Sequence, residues 1–334
     1  RGLIVDRYQY RDRRTNEVAE FDMSAISDET LFPYRLQLEQ YELTWIINRV
    51  LKDYDCAEIR FEHEVVGYSQ DASGVDVVVK TPSGNQTIRG AYLIGADGAS
   101  SNVRKAAGIG YAGFTYNEKF LVASTSFPFE DVFENLSYVN YVADPDEWCV
   151  ILRTDKLWRV LWPTDPANDD EQMYLSDEHI QERMHHLYNK EGDFDIGHRT
   201  LYHVHQRVAE SYYQGRVSLI GDACHINNPL GGMGMNGGIH DAYNLAEKLT
   251  AVINEGADYA ELIARYDRQR RELAVQFVQE HTINNKKLME STDPDIQAKR
   301  QQDLMETAAD PDRARAFVME RAMFDCLRDS LLVE

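Results

Sequence analysis

Apolar residues recur at helical spacing near the start of the chain. Leu43, Ile46, Ile47, Val50 and Leu51 follow one another at i, i+3, i+4, i+7 and i+8, which lays a single apolar stripe along a helix. Similar spacing indicates further helices, including a long one that follows a glycine-rich loop. The predicted helices cover residues 39–54, 178–189, 239–253 and 314–332, with a break near residues 310–311.

Short apolar runs and alternating positions predict strands between these helices. Residues 119–163 are rich in aromatic side chains and have the pattern of antiparallel strands. The other predicted strands lie within residues 1–25, 59–68, 75–80, 91–94, 201–208 and 217–220. An all-β stretch is therefore inserted into a mixed α/β order, and we expect a mixed α/β (α+β) fold.

Composition excludes several classes of function. The formal net charge of −21 disfavours nucleic acid, because an acidic surface repels phosphate backbones. The four cysteines form no C-x-x-C pair, and neither Cys224-His225 nor His203-Val-His205 has further ligands at suitable spacing, so we expect no metal site. No apolar run approaches the roughly 18–20 residues of a spanning helix. We expect a cytoplasmic protein without a membrane span.

The segment from residue 217 to residue 249 carries the chemistry. A short apolar strand delivers Asp222 to its C-terminal end, where ligands bind in open α/β sheets. Pro229 stiffens the loop that follows, and its glycines let backbone approach a flat ligand. Asn236 is a favoured capping residue and lies at or near the start of the long helix. The free N–H groups of that helix favour negative charge. The loop glycines are Gly231, Gly232 and Gly234.

This segment resembles the second flavin-binding motif of the class A flavoprotein monooxygenases, the para-hydroxybenzoate hydroxylase family. The pattern G-D-A-[AC]-H-x-x-x-P-x-G-G-x-G-M-N-x-G-x-x-D-A-x-N-L matches in register over more than twenty positions. The resemblance implies that Asp222 binds the ribityl chain of FAD and that Pro229 lies near the oxygen-reacting face. It also implies that Gly234, Met235 and Asn236 contact the isoalloxazine ring.

Two further segments are similar to motifs of the same family. The run Tyr92-Leu-Ile-Gly-Ala-Asp97-Gly98 and its continuation to Arg104 resemble the D-G motif, which serves FAD and the nicotinamide cofactor. Asp97 would hold the FAD side, and Arg104 would suit a nucleotide phosphate. A weaker match around Phe32-Pro-Tyr implies that Gln40, with Arg35 nearby, contacts FAD.

The resemblance implies an FAD-dependent monooxygenase that hydroxylates an activated aromatic ring, such as a phenol. NADH or NADPH would reduce FAD, and O2 would react at flavin C4a to give the hydroperoxide that transfers oxygen to the substrate. No catalytic acid or base is identifiable from the sequence. A homodimer is a further expectation.

Two alternatives remain open. One is a related flavin epoxidase or quinone-ring hydroxylase; a halogenase would need a W-x-W-x-I-P stretch, which the sequence lacks. The other is a non-catalytic remnant that binds a ligand or a partner protein without flavin.

The resemblance also predicts a domain organisation. Residues 1–110 and 208–254 would form the two parts of a Rossmann-like FAD/NAD(P)-binding domain, 111–207 an inserted antiparallel β-sheet that binds substrate, and 255–334 a helical region. Family members begin with a strand, a G-x-G-x-x-G turn and a helix, which this sequence lacks at its start. We therefore expect the FAD-binding domain to be incomplete at its N-terminus and the chain to be a fragment.

Overall fold

The computed structural model describes residues 1–144 and 146–334, apart from the side chains of Phe277 and Val278. The strands are β1 Leu3–Val5, β2 Arg7–Asp12, β3 Val18–Asp22, β4 Arg35–Gln37, β5 Glu64–Gln70, β6 Val75–Thr81, β7 Gly84–Gly90, β8 Leu93–Gly95, β9 Tyr111–Thr125, β10 Val139–Ala143, β11 Cys149–Arg153, β12 Trp158–Pro163, β13 Ile196–Ala209, β14 Tyr213–Gln214, β15 Val217–Leu219 and β16 His225–Ile226. The helices are α1 Gln40–Leu51, α2 Asn102–Ala106, α3 Glu171–Tyr174, α4 Asp177–Leu187, α5 Met233–Glu255, α6 Tyr259–Leu273, α7 Glu280–Glu290, α8 Pro294–Ala309, α9 Pro311–Arg321 and α10 Phe324–Leu332.

The chain divides into two compact units, which we name by what they carry. The sheet unit comprises residues 1–57, 116–204 and 286–323. The motif unit comprises residues 58–115, 205–285 and 324–334, and it contains both the D-G and the G-D motif. Strands β9 and β13 contribute residues to both units.

In the sheet unit, the strand order is β13-β9-β12-β11-β10-β2-β3. Strands β9 to β12 pair antiparallel, whereas β10 and β2 run parallel. Trp158, Val160 and Trp162 are buried on one face of β12, as the two-residue period of a strand requires. They belong to one apolar core with Ile180 and Met184 of α4, which covers this face.

In the motif unit, β8 and β15 run parallel beside β14, and β5, β6 and β7 form an antiparallel meander. Val75, Val77 and Val79 alternate as buried positions along β6. They share a core with Leu219 of β15 and Tyr266 of α6. This core fixes the ends of β8 and β15, where the two sequence motifs begin.

Most of the predicted elements are present, but several differ from the prediction in their bounds or their burial. The strand expected at residues 59–68 begins only at Glu64, and the last helix is two helices, α9 and α10, because Met323 adopts a positive φ of 64° between them. Helix α1 forms as predicted, but none of its residues is buried. Among residues 1–144 and 146–334, no helix combines the length and the hydropathy that a membrane crossing requires.

The end of β8 tolerates no larger residue than glycine. A Cβ at Gly95 would lie 2.8 Å from Leu219 Cδ2 and 2.9 Å from Val103 Cβ. We expect Gly95→Ala to lower the free energy of unfolding by about 1–3 kcal/mol, the usual cost of overpacking. Urea denaturation measures this change. Gly67→Ala is the control, because a Cβ at Gly67 meets no atom of the described residues within 4 Å. Equal stability of the two variants would contradict the prediction.

Candidate functional site

Both aspartate motifs start at the same edge of the parallel strand pair. Gly95 of β8 lies opposite Leu219 of β15, and the Ile220 N–H donates to the Gly95 carbonyl at 3.0 Å. Asp97 and Asp222 follow these strand ends within three residues. The carboxyl edge of parallel strands is where open α/β sheets bind ligands. The structure therefore brings the two motifs together.

The Asp97 carboxylate orders the turn that leads into α2. It accepts hydrogen bonds from the Ser101 hydroxyl and from the Val103 N–H at 3.0 Å. The Ser101 N–H in turn donates to the Gly98 carbonyl at 2.9 Å, and the Ser101 hydroxyl accepts from the Arg104 N–H at 2.9 Å. Asp97 thus stabilises a turn through its side chain, as aspartate commonly does. Its contact with FAD stays a prediction.

Arg104 joins the two loops from inside the protein. Its side chain is buried, and its guanidinium donates to the Ala223 carbonyl at 3.0 Å and to the Ala99 carbonyl at 2.8 Å. The guanidinium carbon also lies 3.8 Å from the centre of the Tyr111 ring. Two of its donors are already used by carbonyls, so the geometry assigns Arg104 a structural role. Contact with a nucleotide phosphate stays a prediction.

Asp222 presents its carboxylate to solvent. Its backbone carbonyl accepts from the Tyr111 hydroxyl at 2.8 Å, but no described residue donates a hydrogen bond to its carboxylate. Partial desolvation raises the pKa of Asp222, and the nearby His225 opposes that rise. A partly desolvated carboxylate that accepts no hydrogen bond from the described residues, at the end of a strand, is suited to accept hydrogen bonds from ligand hydroxyls.

The glycine-rich loop closes with two residues in conformations that only glycine adopts readily. Gly231 has a φ of 113°, and Gly232 is left-handed at 69° and occupies the N-cap of α5. No side chain in the described part of the chain caps this helix. Asn236 lies near the start of α5, as predicted, but it does not cap the helix, because α5 begins three residues earlier. The Asn236 amide lies in the first turn and donates back to the Gly232 carbonyl at 2.8 Å.

The first turn of α5 keeps its backbone N–H groups free of intrahelical partners. Pro229, Met235 and Asn236 are exposed around it, and Gly234 is half-buried. The Oδ1 atom of Asn227 is buried and accepts no hydrogen bond from the described residues, and a Cβ on Gly234 would lie 3.5 Å from it. Unused donors and one unused acceptor therefore lie together at the start of α5.

A buried carboxylate below the loop holds the G-D turn in place. Asp241 of α5 is fully buried and accepts from the Gly221 N–H at 3.1 Å, from His225 Nε2 at 2.8 Å and from Arg270 Nε at 2.7 Å. Burial favours the neutral acid, but His225 and Arg270 together outweigh it and lower the pKa of Asp241. The Arg270 guanidinium also donates to the Gly237 carbonyl at 3.2 Å.

A second anchor fixes the middle of the loop. Asn228 is fully buried, and its N–H donates to Gln206 Oε1 at 2.9 Å while its side-chain amide donates to the Thr282 carbonyl at 3.0 Å. The Asn228 Oδ1 accepts from the Leu230 N–H at 3.1 Å. Sequence reasoning missed this anchor and the Asp241 network. Asp241 is part of the matched motif pattern and could have been found there, whereas nothing in the sequence connects Gln206 or Arg270 with the loop.

Two predicted site residues, Arg35 and Gln40, belong to the sheet unit, whereas the others all belong to the motif unit. Arg35 pairs with Val5 between β4 and β1, and Gln40 is the exposed first residue of α1. Neither side chain forms a hydrogen bond with another described residue. Both are free to contact a ligand, and their contact with FAD stays a prediction.

Comparison with known proteins gives consistent matches. The family model described as FAD binding domain matches residues 10–281. Para-nitrophenol 4-monooxygenase of Pseudomonas sp. (strain WBC-3) is 32% identical over 335 residues, which covers 97% of this chain and 79% of that protein. The 6-hydroxy-3-succinoylpyridine 3-monooxygenase HspB of Pseudomonas putida (strain DSM 28022 / S16) is 30% identical over 85% of this chain and 72% of its own length. The crystal structure of p-nitrophenol 4-monooxygenase PnpA from Pseudomonas putida DLL-E4 is similar with a TM-score of 0.89 at 30% identity, over 98% of this chain and 82% of that one.

Neutralising Asp241 should destabilise the protein. In Asp241→Asn the buried Arg270 loses its counter-charge, which we expect to cost about 3 kcal/mol or more. A lowered pKa means that the ionised carboxylate stabilises the fold above its unfolded pKa of about 3.9 and that this contribution is lost as pH falls through the folded value. Urea denaturation at neutral and acid pH measures both effects.

Asp76→Asn is the matched control for this substitution, because the Asp76–Arg89 pair is exposed and worth about 1 kcal/mol or less. The difference between wild type and Asp241→Asn should shrink as the pH is lowered. A neutral-pH stability equal to that of the control variant would refute the assigned role.

Proposed function

The chain belongs to the class A FAD-dependent aromatic monooxygenases, and from this membership we propose that residues 222–236 bind the flavin of an NAD(P)H- and O2-dependent hydroxylase of phenolic rings. The proposal includes residues 111–207 as the substrate-binding region. It also includes a homodimer, and a cytoplasmic location that is supported by the four free cysteines. Both relatives described above act, by their names, on aromatic rings that carry oxygen substituents.

The residues present fit an FAD. The positive φ angles of Gly231 and Gly232 leave the first turn of α5 open, and Asp222 and Asn227 offer acceptors that no described residue uses. These donors and acceptors suit the mixed donor and acceptor edge of a flavin and the hydroxyls of its ribityl chain. This unused polar set at the start of α5 is the observation that carries the proposal.

When bound, FAD supplies hydride acceptance and oxygen activation. The chain itself supplies position and charge. The backbone N–H groups of the α5 first turn favour negative charge on the pyrimidine edge of a reduced flavin. Direct hydrogen bonds to charge contribute about 1.5–3 kcal/mol each, whereas the helix dipole contributes about 0.3–1 kcal/mol. Contact with the amides is therefore the larger effect, and the dipole assists it.

Binding and turnover test the function together. The purified protein should carry or take up FAD, with the absorbance bands of a flavoprotein, and phenols should stimulate its oxidation of NADH or NADPH with formation of a hydroxylated product. Separate assays with each nicotinamide identify the preferred donor. A folded protein that takes up no FAD under any reconstitution condition would refute the proposal.

Asp222 should govern FAD affinity and its pH dependence. We expect Asp222→Ala and Asp222→Asn to weaken FAD binding about 10- to 150-fold, the equivalent of one hydrogen bond to a charged group, without loss of folding. The ionised carboxylate is the acceptor, so wild-type affinity should fall in acid. Because the pKa of Asp222 is raised, the loss of affinity should begin at a higher pH than it would with an ordinary aspartate, whose pKa is about 3.9.

Fluorescence titration of the apo-protein with FAD across a pH series measures both effects, with Asp76→Asn as the control. The two Asp222 variants should show a flatter acid limb than wild type. Unchanged FAD affinity in both variants would rule out the contact between Asp222 and the ribityl chain. The rest of the flavin site would then be judged by the assays of FAD uptake and turnover.

A further inference from the structure

The sheet unit contains a cavity beside β2 whose lining residues take no part in the proposed flavin site. The cavity has a volume of about 600 Å³, which lies within the range of roughly 300–1,000 Å³ that is usual for small-molecule pockets. Its lining residues come from the β2–β3 hairpin, from residues 132–136, from β10 and β11, and from the end of α4. All of them belong to the sheet unit, whereas the flavin loop belongs to the motif unit.

The floor of this cavity is apolar and belongs to the core with α4. Leu136, Val142, Ile151 and Leu187 are buried, and all four line both the cavity and that core. The lining residue Val132 is half-buried against the same core. An apolar group that enters the cavity leaves water for these side chains, which the hydrophobic effect favours. The cavity therefore suits a ligand with an apolar body.

The cavity also presents a guanidinium that has no carboxylate partner among the described residues. Arg11 lies beside Val142 in the parallel pairing of β2 and β10, so it shares the face of the sheet that α4 covers. Its Nε donates to Gln9 Oε1 at 2.9 Å, and its Nη2 donates to the carbonyls of Glu134 at 2.9 Å and Asn135 at 3.2 Å. These acceptors are all neutral, and no described residue accepts a hydrogen bond from Nη1.

The local charges favour an anion beside Arg11. Desolvation lowers the pKa of Arg11, and Glu20, which is itself paired with Arg7, opposes that change only in part. A partly desolvated cation attracts an anion more strongly than an exposed cation does, because water screens the attraction less. The acidic lining residues Glu17 and Glu134 are exposed, so solvent and salt weaken their repulsion of an anion.

We propose that this cavity is a small-molecule site in addition to those of the flavin and the aromatic substrate, and that it binds an amphipathic monocarboxylate through Arg11. Arg11 rather than Arg13 carries the recognition, because the other lining arginine, Arg13, is already paired with Asp144 at 3.3 Å. A guanidinium only donates, and its charge selects a carboxylate over a neutral alcohol of the same length. The apolar body of the ligand, alkyl or aryl, lies on the floor of the cavity.

Two acids and their alcohols test the assignment by isothermal titration calorimetry. The probes are octanoate and 4-phenylbutyrate, with octan-1-ol and 4-phenylbutan-1-ol as the neutral counterparts. Each pair keeps the apolar body and changes only the head group. The acid that binds more tightly identifies the body as alkyl or aryl. The titrations are run on the protein with and without bound FAD.

Three variants separate the head group from the apolar body. Arg11→Met removes the guanidinium, and Val132→Trp fills the cavity while it leaves the hydrogen bonds of Arg11 in place. Arg7→Met is the matched control, because Arg7 lies on the same face of β2, pairs with Glu20 at 3.3 Å and is not a lining residue. Val132→Trp remains informative if the loss of the bonds from Arg11 to residues 134 and 135 prevents folding of Arg11→Met.

We expect the wild-type protein to bind at least one acid about 10-fold or more tightly than its alcohol, with the same affinity whether or not FAD is bound. Arg11→Met should weaken binding of that acid about 10- to 100-fold, which corresponds to one hydrogen bond to a charged group, and binding of the alcohol less than about 3-fold. Val132→Trp should weaken binding of both by about 10-fold, and Arg7→Met should change neither by more than about 3-fold.

A wild-type protein that binds neither acid, or that binds acid and alcohol equally, would overturn the assignment. So would wild-type affinities in Arg11→Met or Val132→Trp, an equal loss in Arg7→Met, or binding that requires FAD. The inference is independent of the proposed function. A protein that binds FAD and hydroxylates a phenol but fails this test loses only the Arg11 site.

Discussion

The loop that carries the flavin motif depends on one buried carboxylate. Asp241 accepts from the Gly221 backbone, from His225 and from Arg270, and so ties the G-D turn to helices α5 and α6. An isolated buried charge would be strongly unfavourable, and two basic partners with a backbone donor are what make it stable. The position of Asp222, immediately after Gly221, follows from this arrangement.

Arg104 plays the corresponding role between the two motifs. It donates to carbonyls of the D-G loop and of the G-D loop, so the two strand ends cannot separate without breaking a buried hydrogen bond. The motif unit thus keeps its ionisable framework inside the protein and leaves Asp222 and the first turn of α5 with unused polar groups. A preorganised cofactor site requires both features: a buried framework that fixes the loop, and polar groups on the loop that remain available to the ligand.

In the sheet unit, the two faces of the sheet also differ in character. One face of β9, β12 and β11 is filled by the apolar core with α4. On the other face Arg159 pairs with Glu39, while Ser124 and the Arg159 Nε have no hydrogen-bond partner among the described residues. The first face gives stability, and the second carries buried polar atoms that the described residues leave unsatisfied.

The sequence by itself determined the element types, the mixed α/β class, the loop from Asp222 to Asn236 and, through its motifs, the family. These features are local, because periodicity, glycine positions and short motifs are read within about twenty residues. Only the tertiary structure decided that Arg104 is buried between two loops, that Gln206 anchors Asn228, that Arg270 pairs with Asp241 and that α5 starts at Met233 rather than at Asn236. These contacts join residues far apart in the chain, and burial and hydrogen bonding across such distances leave no periodic trace in the sequence.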